Sequence, residues 1–186
     1  AFVSRPASPH ADSLALAAMR LIGPNLRRVW RDPKDAAARE AMMLGATQAG
    51  LAFSNSSVAL IHGMSRPIGA HFHVPHGLSN AMLLPAVTEF GLNDALPRYA
   101  EAARAIGAAR ADDADQVAGA KLLEELRALN AELEVPTPRA YGIDAARWDG
   151  LMPTMARQAL ASGSPANNPR VPTEEEILAL YRRVYA

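Results

Sequence analysis

The sequence predicts an all-α fold, a single domain of about seven or eight helices over residues 1–186. Three observations predict it. Apolar residues recur at three- and four-residue spacing along most of the chain, the period of a helix with one buried face. Glycine and proline pairs punctuate these runs at intervals that suit helices. No run of β-branched residues alternates with polar ones, and aromatics are only 5% of residues, so strands lack support. The length suits one domain with a substantial core and is short for two of average size.

Taken in order, Leu14, Ala18, Leu21 and Ile22 mark a first helix with Asp12 or Ser13 as its N-cap. Pro24 after Gly23 predicts a kink or interruption, because proline removes a backbone donor and clashes with the preceding turn. Asp32-Pro33 ends this helix. Asp35 starts a second through AAAREAMMLGATQAGLAF, where Gly45, Ala46, Ala49 and Gly50 predict close helix contact rather than a ligand loop. The run SSVALIHGM makes a third helix that ends against Pro67. A fourth begins at Pro75, a favourable first-turn residue, and is expected to kink at Pro85. Further helices are expected over 96–106, 114–133, 144–161 and 173–185. The last opens on a capping box, Thr173 with Glu176, and its acidic triplet Glu174-Glu175-Glu176 suits the positive end of a helix. Methionines 19, 42, 43, 82, 152 and 155 read as core filler.

Composition removes several classes of function. Nineteen basic residues balance nineteen acidic ones, and no clustered basic excess marks a nucleic-acid partner. Arg27-Arg28 with Arg31 reads as a solvated helix end. There is no cysteine, hence no disulfide framework and no thiolate metal site. No apolar run approaches the roughly 18–20 residues that cross a bilayer, and no charged-then-apolar leader is visible. A soluble cytoplasmic protein without membrane partners is the expectation. The chain opens on Ala1-Phe2-Val3-Ser4 without a methionine and reads as a fragment.

Four of the five histidines fall in HGMSRPIGAHFHVPHG, residues 62–77. His62 lies on the third helix and His76 at the start of the fourth, and Pro67, Gly69 and Pro75 break the path between them. Two imidazoles brought together from adjacent helix ends make half of a metal site suited to zinc or ferrous iron. The alternative for His62 is a hydrogen-bonded core histidine. His71 and His73 flank Phe72, so at least one faces solvent or a cleft wall, and His10 reads as surface. Arg66, four residues after His62, shares its helical face and either points into the same cleft or caps the helix. There is no GxGxxG, Walker A or GxSxG motif. Asn167-Asn168-Pro169-Arg170 reads as a turn into the last helix.

HGMSRPIGAHFHVPHGLSNAMLLP resembles the second signature of the iron-containing (group III) alcohol dehydrogenases, in which a His-Gly-Met segment precedes the His of Pro-His-Gly by fourteen residues. The likeness extends outward to AFVSRPASPHADSLALAAMRLI and to NNPR before the closing helix. It implies the helical C-terminal domain of a two-domain dehydrogenase whose N-terminal α/β domain is absent from this chain. His62 and His76 are the metal ligands it implies; His71 and His73 are not. The other two ligands of such a family site, an Asp and a His, would lie upstream of Ala1. Arg66 stands where many relatives carry a second histidine, and a guanidinium does not shuttle protons at neutral pH. Arg66 and His73 are therefore the cleft-facing candidates for a catalytic role, with proton handling passing to His73 or water. The implied cofactors are a divalent ion, Fe2+ or Zn2+, and NAD or NADP held mainly by the missing domain. The implied reaction is oxidation of a small alcohol or reduction of an aldehyde or ketone by a full-length protein, expected to be a homo-oligomer. The 186-residue chain alone is expected to be inactive and to expose an apolar face that favours self-association. The rival reading is a stand-alone helical binding or scaffold module.

Overall fold

The computed structural model describes residues 1–186 and contains helices and no strands. Eight α-helices follow in order: α1 (Pro9–Arg31), α2 (Ala36–Ser54), α3 (Leu60–Phe72), α4 (His76–Gly91), α5 (Leu96–Ile106), α6 (Asp115–Glu132), α7 (Ala145–Ala161) and α8 (Glu174–Tyr185). Short 3-10 turns lie at Leu92–Ala95 and Ser164–Asn167. The chain divides into two compact units, residues 1–57 with 92–125 and residues 58–91 with 126–186, and α6 runs through the division.

The first unit is built on small residues. Ala11, Ala15 and Ala18 are buried along α1, and Ala38, Gly45 and Ala52 are buried on α2 at a spacing of seven. A Cβ on Gly45 would stand 2.8 Å from Ile22 Cγ1, so glycine is what lets α1 and α2 close on each other here. Of the four small residues expected at this contact, Gly45 carries it. Ala46 is exposed and Gly50 faces open space, because the 3.6-residue period turns them off the seam. Phe2 is buried beside Ala15, Ala52 and Ala102. The Arg98 guanidinium lies 4.2 Å from the Phe2 ring centroid, bonds the Phe2 carbonyl and pairs with Asp12 at 2.5 Å.

The outer face of α2 is apolar without cover in this chain. Residues 41–53 carry no charged side chain, and Met43 is 69% exposed, with Leu44, Leu51 and Phe53 near half. Met43 is thus not core filler; its position on the turn, not its hydrophobicity, decides its burial. Met82, Met152 and Met155 are buried as expected.

The second unit has the larger core. Leu60, Met64 and Ile68 recur every four residues on α3 and pack with Leu83 and Val87 of α4, Trp148 and Met155 of α7, and Ile177 and Tyr181 of α8. Trp148 is fully buried, with the rings of Phe72, Tyr181 and Tyr185 5.5–5.7 Å away by centroid. Such aromatic pairs add about 0.5–1.5 kcal/mol each beyond burial. The Tyr181 hydroxyl donates to the Met64 carbonyl at 2.7 Å, tying α8 to α3.

Pro67 behaves differently from expectation, and α1 runs without interruption through Pro24. Pro24, Pro67 and Pro85 all lie inside continuous helices, so Pro67 does not end α3, which runs on to Phe72. An interior proline costs about 3 kcal/mol in an isolated helix, but Pro67 is buried with Met64 and Ile68 on the core face, where packing offsets the loss. In α1 the Asn25 side-chain amide donates to the Leu21 carbonyl at 2.8 Å, supplying a donor to the turn that holds Pro24. The first helix also starts earlier than Asp12. Ser8 is its N-cap, accepting from the Ala11 amide at 3.3 Å, and Pro9 takes the first helical position. Asp35 and Asp144, expected as the first residues of their helices, are the N-caps just before them, and Thr173 caps α8 as expected, with both arms of its capping box.

Three stability tests follow from these contacts, all read by urea or thermal unfolding. Gly23→Ala removes a helix-interior glycine, which alone would stabilise by about 1 kcal/mol. A Cβ there would fall 2.9 Å from the carbonyl carbon of Ile106 and closer to its oxygen, so the variant is expected to be destabilised, while Gly50→Ala, facing open space, is neutral or stabilising. Gly63→Ala would place a Cβ 2.9 Å from the Pro165 ring and should cost about 1–3 kcal/mol. Thr173→Ala should cost about 1 kcal/mol near neutral pH. The Thr173 amide, more than Arg170, holds the Glu176 carboxyl below its ordinary 4.5. Its stabilisation is therefore present above pH 4.5 and lost as pH falls below it, but the variant keeps this backbone amide and loses only the hydroxyl acceptor, so its deficit should be about the same on both sides of pH 4.5.

Candidate metal centre

The path from His62 to His76 reverses at the residues His73–Pro75. His73 is the C-cap of α3 in the left-handed conformation at φ 57°, with its amide donating to the Gly69 carbonyl at 3.0 Å. Val74 follows and is buried, and a Cβ on Gly69 would stand 3.3 Å from the Val74 carbonyl, a close approach that glycine permits. Pro75 then precedes α4, and its carbonyl accepts from Ser79 at 3.0 Å. The reversal lies C-terminal to Pro67 and Gly69, which belong to the helix.

This reversal sets the His62 and His76 rings 5.1 Å apart by centroid, tilted by 59°. Two imidazoles sharing one ion at about 2.1 Å in roughly tetrahedral geometry have centroids about 5 Å apart, so the pair fits a common divalent ion. Its protonation state fits too. Burial first, then the neighbouring His76 and Arg66, push His62 down from 6.5 to about 4, which leaves a neutral ring with a lone pair at pH 7. His62 is half-buried and His76 exposed. Asn80 Nδ2, one turn into α4, lies 3.2 Å from His76 Nε2, while Asn80 Oδ1 is buried without a partner. No third His, Asp or Glu joins the pair. The ring of His76 is the aromatic neighbour of His62.

Arg66 is exposed one turn along α3 from His62, and its guanidinium bonds Ser164 Oγ at 3.3 Å. It does not cap α3, whose end lies beyond it at Phe72. Gly63 explains how Ser164 comes so near. The absent side chain lets Pro165 and the 3-10 turn around it lie directly against α3. Ser164 and Asn80 were not singled out from sequence. Asn80 stands four residues from His76 and could have been found by helical spacing, whereas Ser164 is 98 residues from Arg66 and left no local signal.

The other two histidines of the motif face elsewhere. His71 Nε2 lies 2.9 Å from Gln158 Oε1, and its carbonyl accepts from Arg147 at 2.8 Å. His73 is exposed and lines a cavity of about 210 Å³ with Phe72, Tyr141, Ile143, Asp144 and Arg147, a set that includes neither His62 nor His76. His10 is exposed in the first turn of α1. Residues 164–167 form a 3-10 turn, and Arg170 beyond it pairs with Glu176.

Residues 1–185 match the family model described as Fe-containing alcohol dehydrogenase family, C-terminal. The chain is 32% identical over its full length to the NADPH-dependent butanol dehydrogenase of Clostridium saccharobutylicum, covering 47% of that protein. It is 36% identical over 97% of its length to the probable alcohol dehydrogenase EutG of Escherichia coli K12, covering 44% of it. The crystal structure of 1,3-propanediol oxidoreductase superposes with a TM-score of 0.92 at 31% identity, over 99% of this chain and 47% of that one. The chain thus spans about half the length of the relatives it matches. No helix in it is long and apolar enough to cross a membrane. An all-helical chain with this motif and this extent of match belongs to the Fe-containing alcohol dehydrogenase family and corresponds to its C-terminal domain.

Proposed function

We propose that the protein carrying this chain interconverts a small alcohol with its aldehyde or ketone using NAD or NADP, and that His62 and His76 supply two ligands of its divalent metal. The observation that carries this reading is the 5.1 Å pairing of the two rings, one of them kept neutral by burial, inside the family's own motif. Two neutral imidazoles accommodate Fe2+ or Zn2+ equally. When bound, such an ion contributes Lewis acidity, which favours ionisation of an alcohol or polarisation of a carbonyl.

The chain's own residues prepare the site for that chemistry. The core side chains Leu60 and Met64 anchor the turn of α3 that bears His62, fixing its ring against His76. Asn80 orients the His76 ring from the next turn of α4. A guanidinium does not shuttle protons at neutral pH, so Arg66 does not exchange the substrate proton; that proton passes to water, since His73 lines a cavity apart from His62 and His76. The nicotinamide cofactor is assigned mainly to sequence outside this chain. The apolar outer face of α2 supports self-association, and we expect the full-length protein to be a cytoplasmic homo-oligomer.

His62→Ala with His76→Ala in the full-length protein should abolish bound metal and reduce alcohol oxidation at least 1000-fold, a loss of about 4 kcal/mol or more. Normal metal content and activity in that variant would overturn the proposal. The 186-residue chain alone is expected to show no NAD(P)-dependent alcohol oxidation and to lose metal readily to chelators, since two imidazoles are half of a usual four-coordinate shell. Turnover by the isolated chain, followed at the nicotinamide absorbance, would contradict this.

A further inference from the structure

We propose that Arg66 selects substrates that carry a carboxylate near the reacting alcohol or aldehyde, an assignment that rests on the metal-centre reading of His62 and His76. Position is the first ground. Residues one helical turn apart project from the same face with Cβ atoms about 5–6 Å apart, so the guanidinium shares a face of α3 with His62. That spacing suits a substrate in which roughly one to three carbons separate the carboxylate from the carbinol, one end at the imidazole pair and the other at Arg66.

The second ground is the state of the guanidinium. Arg27, Arg98, Arg104 and Arg127, among others in the chain, each pair with an Asp or Glu. Arg66 is exposed and has no carboxylate partner; its one bond is to the neutral Ser164 hydroxyl. That bond leaves other donors of the fork unused, and guanidinium presents five N–H groups in a geometry that matches a carboxylate bidentately. Ser164 is itself 5% exposed and set in the 3-10 turn packed on Gly63, so it holds one side of the fork on a rigid mount. Pre-ordering of this sort lowers the cost of binding an anion.

The test uses the full-length protein, as wild type, Arg66→Ala and Arg66→Lys, with 3-hydroxypropanoate and 1-propanol as matched substrates and propanoate as a non-reacting probe. For Arg66→Ala, kcat/KM for 3-hydroxypropanoate should fall about 10- to 100-fold, mostly through KM, with less than about a threefold change for 1-propanol. Arg66→Lys should recover part of the loss, since it restores charge without the fork. Calorimetric titration of metal-free protein with propanoate should show binding that weakens at least about tenfold in Arg66→Ala, and this arm decides the matter even if neither alcohol is turned over. Equal loss on both substrates, or unchanged propanoate binding, would overturn the proposal. So would an effect confined to the KM of NADP and absent with NAD, which would assign Arg66 to the cofactor's phosphate. His62→Ala with His76→Ala serves as the control: activity retained there sinks the metal-centre reading itself, whereas its loss beside a silent Arg66→Ala sinks only this inference.

Discussion

The reversal between α3 and α4 is the constraint on which the site depends. It is made by three residues, and each contributes differently. His73 takes the left-handed backbone conformation that ends α3, Val74 drives into the core, and Pro75 leads into the first turn of α4. A non-glycine residue at positive φ costs about 1 kcal/mol or more, and the burial of Val74 beside a chain that Gly69 lets approach offsets it. Lengthening or straightening this turn would part His62 from His76 while leaving the helices intact. That is why a motif of sixteen residues brings two rings together so specifically: Gly69 and Pro75 serve the backbone, and the reversal sets His62 beside His76.

Around the reversal, the second unit supplies rigidity from three directions. Leu60, Met64 and Ile68 bind α3 to the core, Tyr181 fastens it to α8 through the Met64 carbonyl, and Gly63 admits the turn that carries Ser164. One face of α3 is therefore fully committed to packing. The other holds His62 and Arg66, the half-buried and exposed members of the same turn. Burial and the adjacent positive groups act together to keep His62 neutral.

Much of this was legible in the sequence, where the determining forces are local. Thr173 caps its helix as its side chain predicts, because a cap is settled within three residues, and Asp35 and Asp144 stand just before the helices expected to start at them. The boundaries of α5 are those expected from the apolar period. His62 and His76 were picked out by spacing, and by a motif whose family the comparison with known proteins bears out. Where burial decides, local reading failed. Pro67 looked like a terminator and is instead a buried interior residue, since its penalty is offset by contacts distant in sequence. Met43 looked like core and is exposed because it falls on the outer face of α2. The Arg66–Ser164 contact joins segments too far apart for any periodicity to register.

The central claim is that His62 and His76 bind one ion together, and X-ray absorption at the metal edge of the full-length, metal-loaded protein addresses it most directly. Imidazole rings at about 2.0–2.1 Å give a recognisable outer-shell scattering pattern. The account predicts that pattern in the wild type, with its amplitude reduced by His76→Ala alone in whatever metal remains bound. A first shell free of imidazole scattering, or one that His76→Ala leaves unchanged, would contradict it.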